Sequence, residues 1–85
     1  VAERRVKVES EVGLHARPAA LFVEAASTAS GDVTVSKDGG APVSAKSILA
    51  IMGLDVRNGD EITITADGDD AETLLDRLVE IANAG

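Results

Sequence analysis

In "RVKVE" Val6 and Val8 alternate with charged residues, the period of two expected of a strand with one buried face. The period then changes. Between Ala16 and Ala29, Ala19, Phe22, Val23 and Ala26 fall at i, i+3, i+4 and i+7, which places them on one face of a helix. Pro18 is tolerated only in a first turn, where its missing N–H has no intrahelical partner in any case, so the helix is expected to begin at about Ala16.

"SGD" closes that helix, and "VTVSKDGGAPVS" reads as two short strands around Asp38-Gly39-Gly40, residues that accept the positive φ of a tight hairpin. "SILAIMGL" is too densely apolar for a surface strand. With Ser47 as N-cap and Gly53 near its end it reads as a short helix. Asn58 to Asp60 form a turn, and "EITITA" alternates Ile62 and Ile64 as a last strand. In "DDAE", Asp69 and Glu72 have the spacing of a capping box, ahead of a helical stripe of Leu74, Leu75, Leu78, Ile81 and Ala82. The expected order is β-α-β-β-α-β-α in one small α+β domain, residues 1–85. Because every strand alternates, the sheet should be mostly antiparallel, with the helices on one face.

Composition narrows the chemistry. Phe22 is the only aromatic side chain, so the core must be built from Val, Ile, Leu and Ala, and no platform for stacking nucleic-acid bases exists. Absent cysteine excludes thiolate catalysis, disulfides and iron–sulfur ligation, and a single histidine makes a metal site implausible. No cofactor is called for. The net charge of −7 opposes nucleic-acid binding. From Asp60 onward eight acids face one base, Arg77, so residues 1–59 are neutral and offer an anion no net repulsion. The opening "VAERRVKV" lacks the ~7–15-residue apolar run of a signal peptide, and no ~18-residue apolar run follows, which leads to the expectation of a cytoplasmic chain without membrane insertion.

The lone histidine, His15, lies in "GLHARPAA". It has three readings. A general base would need a carboxylate to orient it and a nearby nucleophile, and Ala16, Arg17 and Pro18 supply neither. An inert surface residue at the helix start would need nothing. As a nucleophile, a partly neutral imidazole has a lone pair able to attack phosphorus at neutral pH. Unpaired backbone N–H groups and the positive end of the helix dipole would then meet the phosphate, at roughly 0.3–1 kcal/mol. Arg17 is electrostatically misplaced in a helix first turn unless an anion sits nearby, where its guanidinium would grip phosphate oxygens.

These residues also carry a resemblance. "GLHARPAA" is similar to the phosphohistidine signature of the HPr family, the small phosphocarriers of the bacterial sugar phosphotransferase system. "SAKSILAIMGL" resembles that family's second signature, around its regulatory serine and partner-binding short helix, and "NGDEITITADG" resembles the strand and turn that follow. The match extends over the whole chain. It departs from many relatives at Glu24, where a basic or neutral residue is common, and in a slightly longer segment between His15 and Ser47.

The resemblance implies an open-faced β-sandwich, with a four-stranded antiparallel sheet in the order 1-4-2-3 and three helices on one face. It implies a carrier rather than an enzyme. His15 would be phosphorylated on Nδ1 by phosphoenzyme I, which draws on phosphoenolpyruvate, and would pass the group to the IIA domain of a sugar permease. Arg17 would stabilise the phosphate, and Ser47 would correspond to the serine modified by an HPr kinase/phosphorylase in some bacteria. A monomer is the expected state.

A carrier must dock with several proteins in turn. Ile48 and Ile51 are expected to face the core, leaving Leu49 and Met52 as partner contacts on the short helix, with Ala16 and Ala20 allowing close approach to the first helix. Two alternatives remain beside the sugar pathway. One is an HPr-like phosphocarrier of a nitrogen-linked or multidomain system; the other is a purely regulatory relative, which His15 and Arg17 argue against.

Overall fold

The computed structural model describes residues 2–8, 16–57 and 59–83, residues 16–18 by their backbone alone. Four strands, β1 (Ala2–Lys7), β2 (Val33–Lys37), β3 (Val43–Ser44) and β4 (Glu61–Ala66), form one antiparallel sheet in the order β1-β4-β2-β3. The helices are α1 (Ala16–Ala26), α2 (Ile48–Gly53) and α3 (Ala71–Asn83), which gives the element order expected from the pattern.

β4 is paired on both sides. Its register sets Ile62, Ile64 and Ala66 opposite Val6, Arg4 and Ala2 of β1, and sets Ile64 and Ala66 opposite Val35 and Val33 of β2. One face of the sheet is therefore apolar over its centre. The other presents Glu3, Arg5, Lys7, Thr34, Ser36, Thr63 and Thr65, and it is the open face. α3 packs on β1 and β4, while α1 packs on α3 and α2. Between the layers Val8, Phe22, Val33, Val35, Ile51, Ile62, Ile64, Leu75 and Leu78 are fully buried, each contributing on the order of 1.5–3 kcal/mol by leaving water. Ala19, Ala25 and Ala26 keep α1 thin around Phe22, which is how a chain with one ring fills its core.

The inward-facing charge on β1 is accounted for. Arg4 shares the helix-side face, and its guanidinium reaches across to pair with Glu72 and, at 3.7 Å, with Asp76, one turn apart on α3. Glu72 is thus turned to Arg4 and not back to the preceding turn. The helix starts one residue later than the capping-box spacing predicts, with the Asp70 carbonyl accepting from the Leu74 N–H at 3.0 Å.

Two further boundaries differ from expectation. α1 ends at Ala26, because Thr28 and Ala29 close tighter bonds to Ala25 and Ala26 while the Ser27 and Thr28 hydroxyls donate to the Val23 and Ala25 carbonyls, competing with the helical ladder. The hairpin turn forms where predicted, with Asp38 and Gly39 both at positive φ and the Gly40 N–H bonded to the Lys37 carbonyl at 2.8 Å. The returning strand begins only after Pro42, which has no N–H for the ladder, and so β3 is two residues long.

The α1–β2 and β4–α3 connections cross at Gly31, where a Cβ would lie 2.7 Å from the Asp67 carbonyl oxygen. Gly31→Ala should therefore cost about 1–3 kcal/mol, as overpacking against backbone does. Gly53→Ala, whose added methyl meets nothing within 4 Å, should be neutral or stabilising. Urea unfolding monitored by far-ultraviolet circular dichroism distinguishes the two.

Candidate functional site

The helical backbone begins at Ala16, with Arg17 and Pro18 in the first turn and no acidic residue in that turn. Proline fits there because the first amides of a helix have no acceptor within the helix, the general reason that helix starts suit anions. His15 precedes Ala16 in sequence but lies outside the described residues, as do the side chains of Ala16 and Arg17. Ala20, one turn along α1, is exposed.

The second part of the site is α2. Ser47 has extended backbone, φ −115° and ψ 116°, and its Oγ accepts the Ala50 N–H at 3.3 Å, while its carbonyl accepts the Ile51 N–H at 3.1 Å. This is the N-cap predicted from the sequence. The six-residue helix turns Ile51 wholly inward and leaves Leu49 81% and Met52 45% exposed. Ile48 is partly buried against the core, as its spacing from Ile51 predicts. α2 packs on α1, and the Lys46 ammonium donates to the Ala29 carbonyl at 3.4 Å, tying the residue before the cap to the turn that follows α1. The helix whose start follows His15 in sequence and the short helix with the exposed apolar side chains therefore belong to neighbouring, mutually packed elements.

Two features were not anticipated. Leu21 is 51% exposed and lines a groove of about 490 Å³ between α1 and α3 with Glu24, Arg77 and Ile81. Its position off the Ala19, Phe22, Val23, Ala26 stripe was the available signal. The other is the loop from α2 to β4. Asp55 lies at φ 53°, and Arg57 forms a forked pair with it at 2.9 and 3.2 Å. The Asp60 carboxylate accepts the Arg57 backbone N–H at 2.9 Å and lies 3.3 Å from the Lys37 ammonium. That N–H first, and Lys37 after it, hold the Asp60 carboxyl below the ordinary carboxylate range. Among the described residues no cluster of three potential metal ligands occurs, and no helix is long and apolar enough to cross a membrane.

An open-faced α+β sandwich with a short, exposed apolar helix packed beside its first helix is the architecture of a small phosphocarrier. The family profile described as "PTS HPr component phosphorylation site" matches residues 2–84. Phosphocarrier protein HPr of Streptomyces coelicolor is 46% identical over 85 residues, covering 100% of this chain and 91% of that one. Among solved structures, HPr of Bacillus anthracis superposes with a TM-score of 0.87 at 45% identity, over 96% of both chains. Crh of Bacillus subtilis, solved as a dimer with a swapping domain, superposes with a TM-score of 0.71 at 41% identity, over 96% of this chain and 93% of that one. The chain belongs to the HPr family, the phosphocarriers of the phosphotransferase system.

The local geometry separates stability from contact. Ser47→Ala should lower stability by about 0.5–2 kcal/mol through loss of the cap. Leu49→Ser should change it by no more than about 0.5 kcal/mol, as expected of a side chain that supports nothing. Thermal melts of the two variants test this assignment.

Proposed function

We propose that the chain accepts a phosphoryl group on Nδ1 of His15 from phosphoenzyme I, itself charged by phosphoenolpyruvate, and passes it to the IIA domain of a sugar permease. The Nδ1 lone pair attacks phosphorus, a P–N bond forms as the donor's bond to phosphorus breaks, and the sequence reverses onto the acceptor's nucleophile. A protonated imidazole leaves readily, which makes the residue a carrier and not a store. In this reading the protein is not an enzyme, since the group stays bound to it until a second protein removes it, and it works in the cytoplasm as a single chain.

The observation that carries the proposal is the sequence position of the lone histidine, immediately before the first helical residue, with Arg17 in a first turn that holds no acid. An arginine there opposes the helix dipole unless an anion is present. Its guanidinium neutralises the phosphoryl group while it is shared between two nucleophiles. In this reading Leu49 and Met52 on α2, together with Ala16 and Ala20 of α1, form the contact surface, and methionine repacks against differing partners. Ser47 is the proposed regulatory position. A phosphate there brings roughly −1.5 to −2 charges to the edge of that surface, where it is compatible with the helix start but unfavourable for docking. A nitrogen-linked relay would use the same residues and differ in the general enzyme that charges His15.

A reconstituted relay tests the reading. Parent protein should move label from phosphoenolpyruvate through enzyme I to an isolated IIA domain, and His15→Ala should fold and accept none. Arg17→Ala should slow transfer in both directions roughly 10- to 100-fold, the equivalent of losing hydrogen bonds to charged groups worth about 1.5–3 kcal/mol. Label on the His15→Ala protein, or an Arg17→Ala protein as fast as the parent, contradicts the assignment.

A further inference from the structure

α1 carries a second stripe beside the one that faces the core. Leu21, Glu24, Ala25 and Thr28 recur at i, i+3, i+4 and i+7 along the helix and the turn that closes it, and with Arg77 and Ile81 of α3 they line the groove of about 490 Å³. Leu21 is 51% exposed, although nothing in the core requires it to be apolar, while the small Ala25 beside it is buried. A projecting side chain therefore stands next to a low floor.

The charges of the groove are set in opposition. Glu24 belongs to the α1 wall and Arg77 to the α3 wall; both are exposed, and neither enters an ion pair among the described residues. The Thr28 hydroxyl is already engaged, donating to the Ala25 carbonyl at 2.7 Å. Arg77 is moreover the single base from Asp60 to Gly85, against eight acids, so a partner matched to the overall charge of α3 would be basic and would be repelled at the groove itself. The occupant must bring an acid to Arg77, a base to Glu24 and an apolar side chain to the floor. A second copy of this chain carries all three, with its own acid and base at the same separation.

We propose that two copies of the chain associate through the α1–α3 groove about a twofold axis. Each sets its Arg77 on the other's Glu24 and its Leu21 over the other's Ala25 and Ile81, the reciprocity that defines such a contact. The net charge of −7 on each copy opposes the approach, but at physiological ionic strength charges farther apart than roughly 8 Å are largely screened, whereas the two contact pairs are not. A contact built on one groove is small, so association is weak and sets in only as the chain becomes concentrated. At low concentration the chain is single. No residue of α2 lines the groove, and the proposal stands or falls independently of the carrier reading.

Sedimentation equilibrium on the full chain from about 10 µM to about 1 mM, where small interfaces associate, reads the state directly. The parent should pass from the mass of one chain toward that of two. Glu24→Arg and Arg77→Glu should each associate at least about tenfold more weakly, because each variant places like charges together at both contacts. An equimolar mixture of the two variants should recover association to within about threefold of the parent, because both contacts then join opposite charges again. Such recovery belongs to a reciprocal contact and would not follow if the groove received a different protein or another face of the chain. Leu21→Ser, which alters no charge, should also weaken association about tenfold, and it decides the matter if either charge variant does not fold. A parent that keeps the mass of one chain at the highest concentration, variants that associate as the parent does, or a mixture of folded charge variants that stays single overturns the proposal.

Discussion

Burial of the Ile62, Ile64 and Ala66 face of β4 is the interaction on which the other elements depend, because β4 pairs with β1 along its whole length and with β2 over residues 62–66. Its alternation fixes which face of β1 and β2 turns inward, since a slip of one residue would carry every isoleucine to solvent. That face in turn gives α3 a surface to lie on, and α3 with the sheet gives α1 a place for Phe22. The opposite face carries only charged and hydroxyl side chains and asks for no cover. One layer of helices is therefore sufficient, and the sandwich stays open.

A small core of this kind has little apolar surface to spare, which gives meaning to the side chains left outside it. Val8, Ile51 and Leu75 are completely buried, yet Leu49 on a six-residue helix is 81% exposed. Nothing in folding requires Leu49 to be apolar. The helix that presents it is capped at Ser47, tied through Lys46 to the turn that follows α1 and closed into a loop braced by Lys37, so three separate contacts fix a surface that contributes nothing to the core. Rigid presentation of an apolar surface reduces the entropy lost each time a partner binds, and a carrier binds repeatedly.

Most of this was legible in the sequence wherever a period was enforced by burial. The strands around Val6, Val33 and Ile62, the stripe of α1 and the inward face of α3 all follow from spacing alone. The Ser47 cap and the division of α2 between Ile51 inside and Leu49 and Met52 outside were also readable, because a short helix cannot hide adjacent large side chains. What escaped was decided by polar contacts between distant parts of the chain. Glu72 sits at capping-box spacing, but Arg4 on β1 takes its carboxylate. The end of α1 is set by hydroxyls that bond back to carbonyls, and the loop after α2 by a lysine 18 positions before Asp55. No local pattern announces such pairings. The sheet order came from family resemblance and not from periodicity, since an alternating strand does not name its neighbour.

The account turns on one chemical bond, and that bond can be characterised directly. The protein is incubated with enzyme I and labelled phosphoenolpyruvate, then treated with acid or base before peptide mapping. A phosphoramidate on an imidazole is labile in acid and stable in base, so the account predicts label that is lost in acid, survives base and maps to His15 alone. Label that survives acid, or that maps to Ser47 or any other residue while His15 remains unmodified, would contradict it.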